Sequence, residues 1–99
     1  MNKYGLYVKL KTTKGNGQKL ADILIQASAV VSNCKGFHMY LVSLDKKEED
    51  AVIVTEVWDS KEDHDNSLKM DAVRALIGQA MPIIAESPSG GHEMEVLNY

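Results

Sequence analysis

The spacing of the apolar residues switches several times between that of a strand and that of a helix, and the order of these switches constrains the fold most strongly. Apolar and polar residues alternate from Tyr4 to Thr12, which predicts a strand with one apolar face. After a turn cluster that contains Gly15 and Gly17, apolar residues recur at steps of three and four, which predicts a helix. Asn16 is the predicted cap of this helix, whose apolar face comprises Leu20, Ile23, Leu24, Ala27, Val30 and Val31.

Two further segments, Phe37–Leu44 and Ala51–Trp58, are rich in β-branched and aromatic residues and are predicted to be strands. The preceding helix is expected to end near Asn33 to Gly36, because glycine can adopt the left-handed conformation that follows many helices. The segment between the strands, Asp45–Asp50, is charged, and we interpret it as a solvated hairpin loop.

The predicted strand Ala51–Trp58 is apolar on both of its faces. Val52 and Val54 lie on one face, whereas Ile53 and Val57 lie on the other. A strand of this kind is usually covered on both sides. The sequence therefore predicts a second layer on each face of the sheet.

A second helical region follows the tryptophan and is divided in two. Ser60 and Asp63 form a capping box of the type S-x-x-D, which predicts a helix start at this point. A second helix is expected to begin with Asp71 as its cap, and Pro82 should kink or end it because proline has no backbone N–H. Its predicted apolar face comprises Val73, Leu76, Ile77, Ala80 and Ile84.

A loop at Ser87–Gly91 and a last strand at His92–Tyr99 complete the predicted order β-α-β-β-α-β. This order predicts an α+β, ferredoxin-like fold with helices on one face of a four-stranded antiparallel sheet. A length of 99 residues predicts a single domain over residues 1–99. The other sheet face, still partly apolar, would be covered by a twofold partner in a barrel-like homodimer.

Composition argues against several classes of protein. Eleven basic and fourteen acidic residues leave a net charge of −3, which disfavours nucleic-acid binding. No apolar run approaches the roughly 18 residues of a membrane helix, so no membrane partner is predicted. The single cysteine, Cys34, allows no internal disulfide and fits a reducing, cytoplasmic compartment. The three histidines lack the spacing of a metal site, and none is predicted.

Four segments of the chain together form a pattern that can be compared with known families. They are Gly36-Phe37-x-x-Tyr40, Val54 to Glu62, His64, and Ala72 to Ile77. In these segments the sequence resembles the antibiotic biosynthesis monooxygenase family. The stretch from Glu56 to His64, E-x-W-x-S-x-E-x-H, identifies the superfamily of dimeric α+β barrels but hardly restricts the substrate.

The resemblance implies a small homodimer with a pocket in each protomer, between the helices and the sheet. It also implies a cofactor-independent monooxygenase for a small aromatic, quinol or polyketide-like substrate, with no metal or bound flavin. A deprotonated phenol can pass an electron to molecular oxygen by itself. The protein then has to supply an apolar cavity, a proton acceptor and the exclusion of water.

The resemblance suggests His64 as the catalytic proton acceptor and places Trp58 by the cavity. The alternative for Trp58 is a core side chain at the strand–helix corner, and the alternative for His64 is a partly exposed helix residue. Tyr40 and His38 lie two residues apart on one strand and are candidates for the ligand pocket or a partner sheet. Glu56 shares a strand face with Trp58 and is a second possible acid or base, and its alternative is a strand-end carboxylate that binds the backbone or a lysine.

Several positions depart from the family pattern. Val54 and Gly78 stand where polyketide-oxygenating members carry an asparagine and a basic residue. The first strand has no asparagine near Tyr7 and no histidine occurs between Leu68 and Gly91, so haem degradation is not expected. A non-catalytic small-molecule-binding or stress-related barrel protein is therefore the alternative function. A purely structural dimer, the third possibility, would have no cavity large enough for an aromatic ring.

Overall fold

The computed structural model describes residues 2–86 and 91–99 of the chain. Its elements are β1 (Lys3–Lys11), α1 (Gly17–Val31), β2 (Phe37–Leu44), β3 (Ala51–Trp58), α2 (Lys61–Ser67), α3 (Asp71–Ala80), a 3₁₀ turn (Met81–Ile83) and β4 (His92–Val96). This order is the predicted one, although the last strand is shorter than expected. Most of the loop predicted at Ser87–Gly91 lies outside the described residues. Within the described ranges, no helix is long and apolar enough to cross a membrane.

The four strands form one antiparallel sheet in the order β2-β3-β1-β4, which confirms the α+β, ferredoxin-like fold class. In the central pair, Tyr4 lies opposite Trp58 and Leu10 lies opposite Val52. Because side chains alternate along a strand, this register places the even-numbered residues of β1 and β3 on the same face. That face meets the helices.

The core lies between this sheet face and the helices, in two clusters that share partly buried neighbours. The larger cluster joins α1, α3 and the 3₁₀ turn to the middle of the sheet, and its buried members are Leu10, Leu20, Ala21, Ile23, Ala27, Val52, Leu76, Ala80 and Ile83. The smaller cluster packs the end of α1 and the start of α3 around Trp58. The second cluster closes the corner at which β3 turns into α2.

The start of α1 is stabilised by a residue from the hairpin loop and not by the predicted cap. Asn16 occupies the cap position, but its side chain does not accept a hydrogen bond from the first turn. The carboxylate of Asp50 instead accepts hydrogen bonds from the backbone N–H groups of Gly15 and Gly17, at 2.9 and 3.0 Å. The loop interpreted as merely solvated therefore also holds the first helix against the sheet.

The second helical region follows the sequence expectation closely. Ser60 Oγ accepts a hydrogen bond of 3.2 Å from the backbone N–H of Asp63, which confirms the capping interaction. The following helix begins at Asp71, with Met70 and not Asp71 in the cap position. It ends at Ala80, and the 3₁₀ turn that follows contains Pro82, as expected from the missing donor.

Gly36 holds the strand–helix corner together. Its backbone φ is +79°, the left-handed region in which glycine is favoured, and its carbonyl accepts a hydrogen bond of 2.8 Å from the backbone of Asp59. A Cβ atom at this position would overlap the side chain of Asp63 in α2. The absence of a side chain thus lets the end of α1, the end of β3 and the start of α2 approach one another.

The sheet face that points away from the helices carries several accessible apolar side chains. Tyr7, Leu41 and Met94, on three different strands, are 39%, 51% and 37% exposed. Gly5 lies between Met94 and Val96 on this face, and a Cβ on Gly5 would come within 2.7 Å of the Val96 side chain. The face consequently combines accessible apolar side chains with lysines of β1.

Candidate functional site

A cavity of about 240 Å³ lies between the helices and the sheet. Its walls are almost entirely aliphatic, from Leu10, Leu20, Ile23, Leu24, Ala27, Val31, Leu68, Val73, Leu76, Ile77, Ala80, Met81 and Ile84. Three polar side chains complete the lining: Tyr40 on β2, Glu56 on β3 and Ser67 at the end of α2. A hydrophobic cavity with a few polar groups is the usual form of a small-molecule site. We refer to this cavity as the chamber.

Glu56 is the carboxylate of this chamber. It lies on the helix-facing side of β3, opposite Leu6 on one neighbouring strand and Tyr40 on the other. The residue is only 7% exposed. Its Oε1 accepts a hydrogen bond of 3.0 Å from the indole Nε1 of Trp58, two residues further along the same strand face. A carboxylate is thus held in place beneath the helices.

His64 approaches Glu56 from α2. Its Nε2 lies 3.8 Å from Oε2 of Glu56, and its Nδ1 lies 2.9 Å from a carboxylate oxygen of Asp65. A proton on Nδ1 would satisfy the Asp65 carboxylate, and Nε2 is the nitrogen that faces Glu56. His64 and Glu56 are therefore neighbours in the site, at a separation beyond that of an ordinary hydrogen bond. The ring of His64 also packs between Trp58 and Tyr4, with centroids 6.1 and 5.8 Å away.

Burial controls the ionisation of the two titratable side chains in the chamber. Burial raises the pKa of Glu56 above its usual value, although the Trp58 hydrogen bond and the charge of His64 act in the opposite direction. Burial also raises the pKa of the Tyr40 phenol, and the nearby Glu56 charge adds to this effect. Tyr40 accordingly stays neutral near neutral pH, and burial favours the protonated form of Glu56.

Trp58 lies behind the chamber and does not line it. Its side chain is fully buried and meets Phe37 edge to face, with ring centroids 5.5 Å apart. Its polar N–H is satisfied by Glu56. Trp58 is therefore both a core residue and a direct neighbour of a chamber residue, so the two interpretations of the sequence are compatible.

His38 lies apart from the chamber. It sits at a bulge where β2 departs from regular pairing with β3, and its Nε2 is 2.6 Å from a carboxylate oxygen of Asp59. Its ring packs against Tyr99 near the end of the chain. Of the five predicted site residues, Glu56 and Tyr40 line the chamber, His64 and Trp58 contact Glu56, and His38 is elsewhere.

Ser67 and the rim of the chamber were not predicted. Ser67 follows His64 by three residues, so the two share a helix face, and its hydroxyl donates a hydrogen bond of 2.6 Å to the His64 carbonyl. The three-residue spacing from His64 was the sequence feature from which the position of Ser67 could have been predicted. At the rim, Leu68, Ile77 and Met81 are 45%, 43% and 61% exposed, which leaves an apolar entrance from solvent.

No three His, Cys, Asp or Glu side chains converge on a possible metal position within residues 2–86 and 91–99. The chemical means at the described site are therefore an apolar volume, a buried carboxyl group, an imidazole in contact with it and a neutral phenol. This combination can exclude water and accept a proton from a bound molecule.

Comparisons with known proteins agree on the family. The sequence profile of the family described as "Antibiotic biosynthesis monooxygenase" matches residues 4–79. A crystal structure from Chloroflexus aurantiacus J-10-fl, provisionally assigned as an antibiotic biosynthesis monooxygenase, is 35% identical and superposes with a TM-score of 0.86. The alignment covers 98% of this chain and 95% of that one.

Two more distant structures share the fold. A protein from Nitrosomonas europaea with the same provisional assignment has a TM-score of 0.90 at 9% identity, over 97% of this chain and 91% of its own. One from Caulobacter crescentus CB15 has a TM-score of 0.87 at 19% identity, over 98% and 92%. No curated protein has a significant match. From the profile match and the 35% identical relative, the chain belongs to the antibiotic biosynthesis monooxygenase family.

Proposed function

We propose that this protein is a cofactor-independent monooxygenase that oxidises a small aromatic, quinol or polyketide-like hydroxyl compound in the helix–sheet chamber. The observation that carries the proposal is the buried Glu56 carboxyl group, which lines an apolar cavity and is backed by His64. Family membership supports the reaction class.

The reaction needs no redox group from the protein. Loss of the hydroxyl proton converts the substrate to an electron-rich anion, which transfers one electron to O₂ and then combines with the resulting superoxide. The peroxide that forms at the ring carbon loses water, so that a phenol with a free C–H position and O₂ become a quinone and H₂O. One oxygen atom enters the product, the other leaves as water, and the substrate supplies all the electrons.

In this scheme Glu56 takes the hydroxyl proton because it is the member of the pair that faces the chamber. His64 exchanges a proton with it and balances its charge, while Asp65 orients the imidazole. This refines the sequence expectation, which assigned proton acceptance to His64. Trp58 holds the Glu56 carboxyl group by its indole N–H, and Tyr40 forms part of the polar wall.

We further propose that the protein functions as a cytoplasmic homodimer. The apolar sheet face around Tyr7, Leu41 and Met94 would be buried against the same face of a second copy, as in a dimeric α+β barrel. Burial of such a patch between two copies would remove an exposed surface that is unusual for a monomer. The solitary Cys34 is consistent with a reducing compartment.

A binding protein without turnover is the second candidate. The observation in its favour is that the aliphatic lining supplies neither the asparagine nor the basic residue expected of polyketide-oxygenating relatives, since Val54 and Gly78 stand at those positions. Such a protein would use the same chamber to hold a small apolar ligand.

Oxygen-electrode measurements with a panel of quinols, naphthols and anthrones test the proposal. The parent should consume O₂ with at least one compound, and Glu56→Gln should lower kcat by about a hundredfold or more, the usual contribution of a general base. His64→Ala should also lower kcat. His38→Ala is the matched histidine control, because His38 lies outside the chamber, and it should keep parental turnover.

Each outcome separates the two functions. If the panel raises the melting temperature without oxygen uptake, the protein binds but does not oxygenate. If turnover survives Glu56→Gln, proton transfer by Glu56 is ruled out, and if it survives His64→Ala, His64 has no part in the mechanism. Circular dichroism of each variant verifies that it is folded.

A further inference from the structure

The described lining of the chamber contains an acidic side chain but no basic one. Among the described lining residues, Glu56 alone can carry a charge near neutral pH, and there is no lysine, arginine or histidine. His64, which is not part of the lining, lies 3.8 Å from the Glu56 carboxyl group and contacts Asp65 at 2.9 Å. An anionic ligand in the chamber would therefore find no free cation to pair with.

We propose that the chamber selects neutral hydroxyarenes of one or two rings, whose hydroxyl donates to Glu56, and rejects carboxylates of the same size. This inference rests on the proposed function only in placing the ligand in the same chamber, and it specifies the class of substrate. It concerns binding and needs no turnover.

The volume of the chamber sets the number of rings. A dry cavity of about 150 Å³ lined by leucine, isoleucine and phenylalanine is large enough for benzene. The present chamber, at about 240 Å³, exceeds that by more than half and has the same aliphatic character. The extra space is enough for a second fused ring, and the apolar rim of Leu68, Ile77 and Met81 provides an entrance that suits such molecules.

The hydroxyl preference follows from the hydrogen-bonding capacity of the buried carboxyl group. Oε1 of Glu56 is bonded to Trp58, whereas Oε2 has His64 only at 3.8 Å, beyond an ordinary hydrogen bond. A ligand O–H would give Oε2 a donor within the dry chamber. A phenol suits this role, since it is neutral and fully protonated near neutral pH.

The rejection of carboxylates follows from the cost of burying charge. A ligand carboxylate would leave water for an aliphatic chamber and approach a group of the same sign. The groups that face Glu56 from the neighbouring elements are Tyr40 on β2, Tyr4 on β1, Trp58 on its own strand and His64 on α2. Tyr40, Tyr4 and Trp58 are neutral, and His64 lies between the carboxyl groups of Glu56 and Asp65.

Calorimetric titration under nitrogen tests the inference with naphthol, naphthalene and the naphthoate substituted at the same ring position. For the parent at neutral pH, naphthol should bind at least about tenfold more tightly than naphthoate, with naphthalene between them. Glu56→Gln should reduce the naphthol-to-naphthoate ratio by at least about tenfold, because the amide carries no charge. Glu95→Gln makes the same chemical change at an exposed position of the edge strand β4 and should preserve the parental ratio.

The inference is overturned if naphthoate binds the parent as tightly as naphthol, if naphthol does not bind, or if folded Glu56→Gln keeps the parental ratio. Thermal melting of each variant establishes that it is folded. Selective binding without oxygen uptake would leave the inference intact and remove the oxygenase proposal. Oxygen uptake without this selectivity would overturn the inference and leave the oxygenase proposal intact.

Discussion

The indole Nε1 of Trp58 donates a 3.0 Å hydrogen bond to Oε1 of Glu56, the residue two positions earlier on the same face of β3. Both side chains are buried, and the strand period of two residues places them side by side. The tryptophan of the family pattern is thereby linked to the acidic group of the chamber. Because of this hydrogen bond, a change at Glu56 should also affect the stability of the junction between β3 and α2.

Replacement of Trp58 by phenylalanine should destabilise the protein through the loss of this donor. A buried acceptor that loses its partner costs about 1–3 kcal/mol, to which the smaller ring adds a cavity term. Urea unfolding of Trp58→Phe measures the total. In a Glu56→Leu background no acceptor is orphaned, so the same substitution should cost less. Equal costs in the two backgrounds would show that the hydrogen bond contributes nothing.

The ionisation of Glu56 should make stability depend on pH in a definite direction. Its pKa is raised by burial, so the folded state binds the proton more tightly than the unfolded state. The stabilisation is fully present below the unfolded pKa of about 4.3 and is lost as pH rises through the folded pKa. Glu56→Gln removes this loss, so its melting temperature relative to the parent should increase from acid to neutral pH. A difference that is constant or that shrinks would contradict the raised pKa.

Alanine substitutions at two glycines should have opposite effects. Gly36→Ala forces a side chain into the left-handed region and against Asp63, which should cost about 1–3 kcal/mol of unfolding free energy. Gly78 lies inside α3, and a methyl group added to it would meet no neighbouring side chain or element within 4 Å, so Gly78→Ala should stabilise by about 0.5–1 kcal/mol. Chemical denaturation measures both. A Gly36→Ala variant as stable as the parent would mean that the corner has no special backbone requirement.

A charge on the open sheet face should disrupt the proposed dimer. Tyr7→Lys places an ammonium group on the central strand β1, where it would be buried between two copies, and should weaken dimerisation by at least about tenfold. Sedimentation velocity over a concentration series measures the change. Ile25→Lys is the control, because Ile25 is 54% exposed on α1, and it should leave the association unchanged. A monomeric parent, or a Tyr7→Lys variant that remains dimeric, would exclude this interface.

Local patterns in the sequence were sufficient to predict the secondary-structure elements and their order. The alternation in β1, the capping interaction of Ser60 and the helix end before Pro82 each depend on residues within a few positions of one another. Such features are determined by backbone geometry and side-chain sterics that act over one or two turns. The family pattern then indicated the neighbourhood of the site, because it lies mainly in the contiguous stretch from Glu56 to His64.

The tertiary structure decided which of these residues meets the chamber. His64 was the expected proton acceptor, but the packing of α2 on the sheet places it behind Glu56, while the strand register turns Glu56 and Tyr40 inward. Likewise Asp50, and not the adjacent Asn16, holds the start of α1 from 33 residues away. These relationships depend on how separate elements pack, and no spacing along the chain encodes that directly. The sequence by itself therefore determined the elements and the residue types around the chamber, whereas the packing of the helices on the sheet determined the contacts that these residues make.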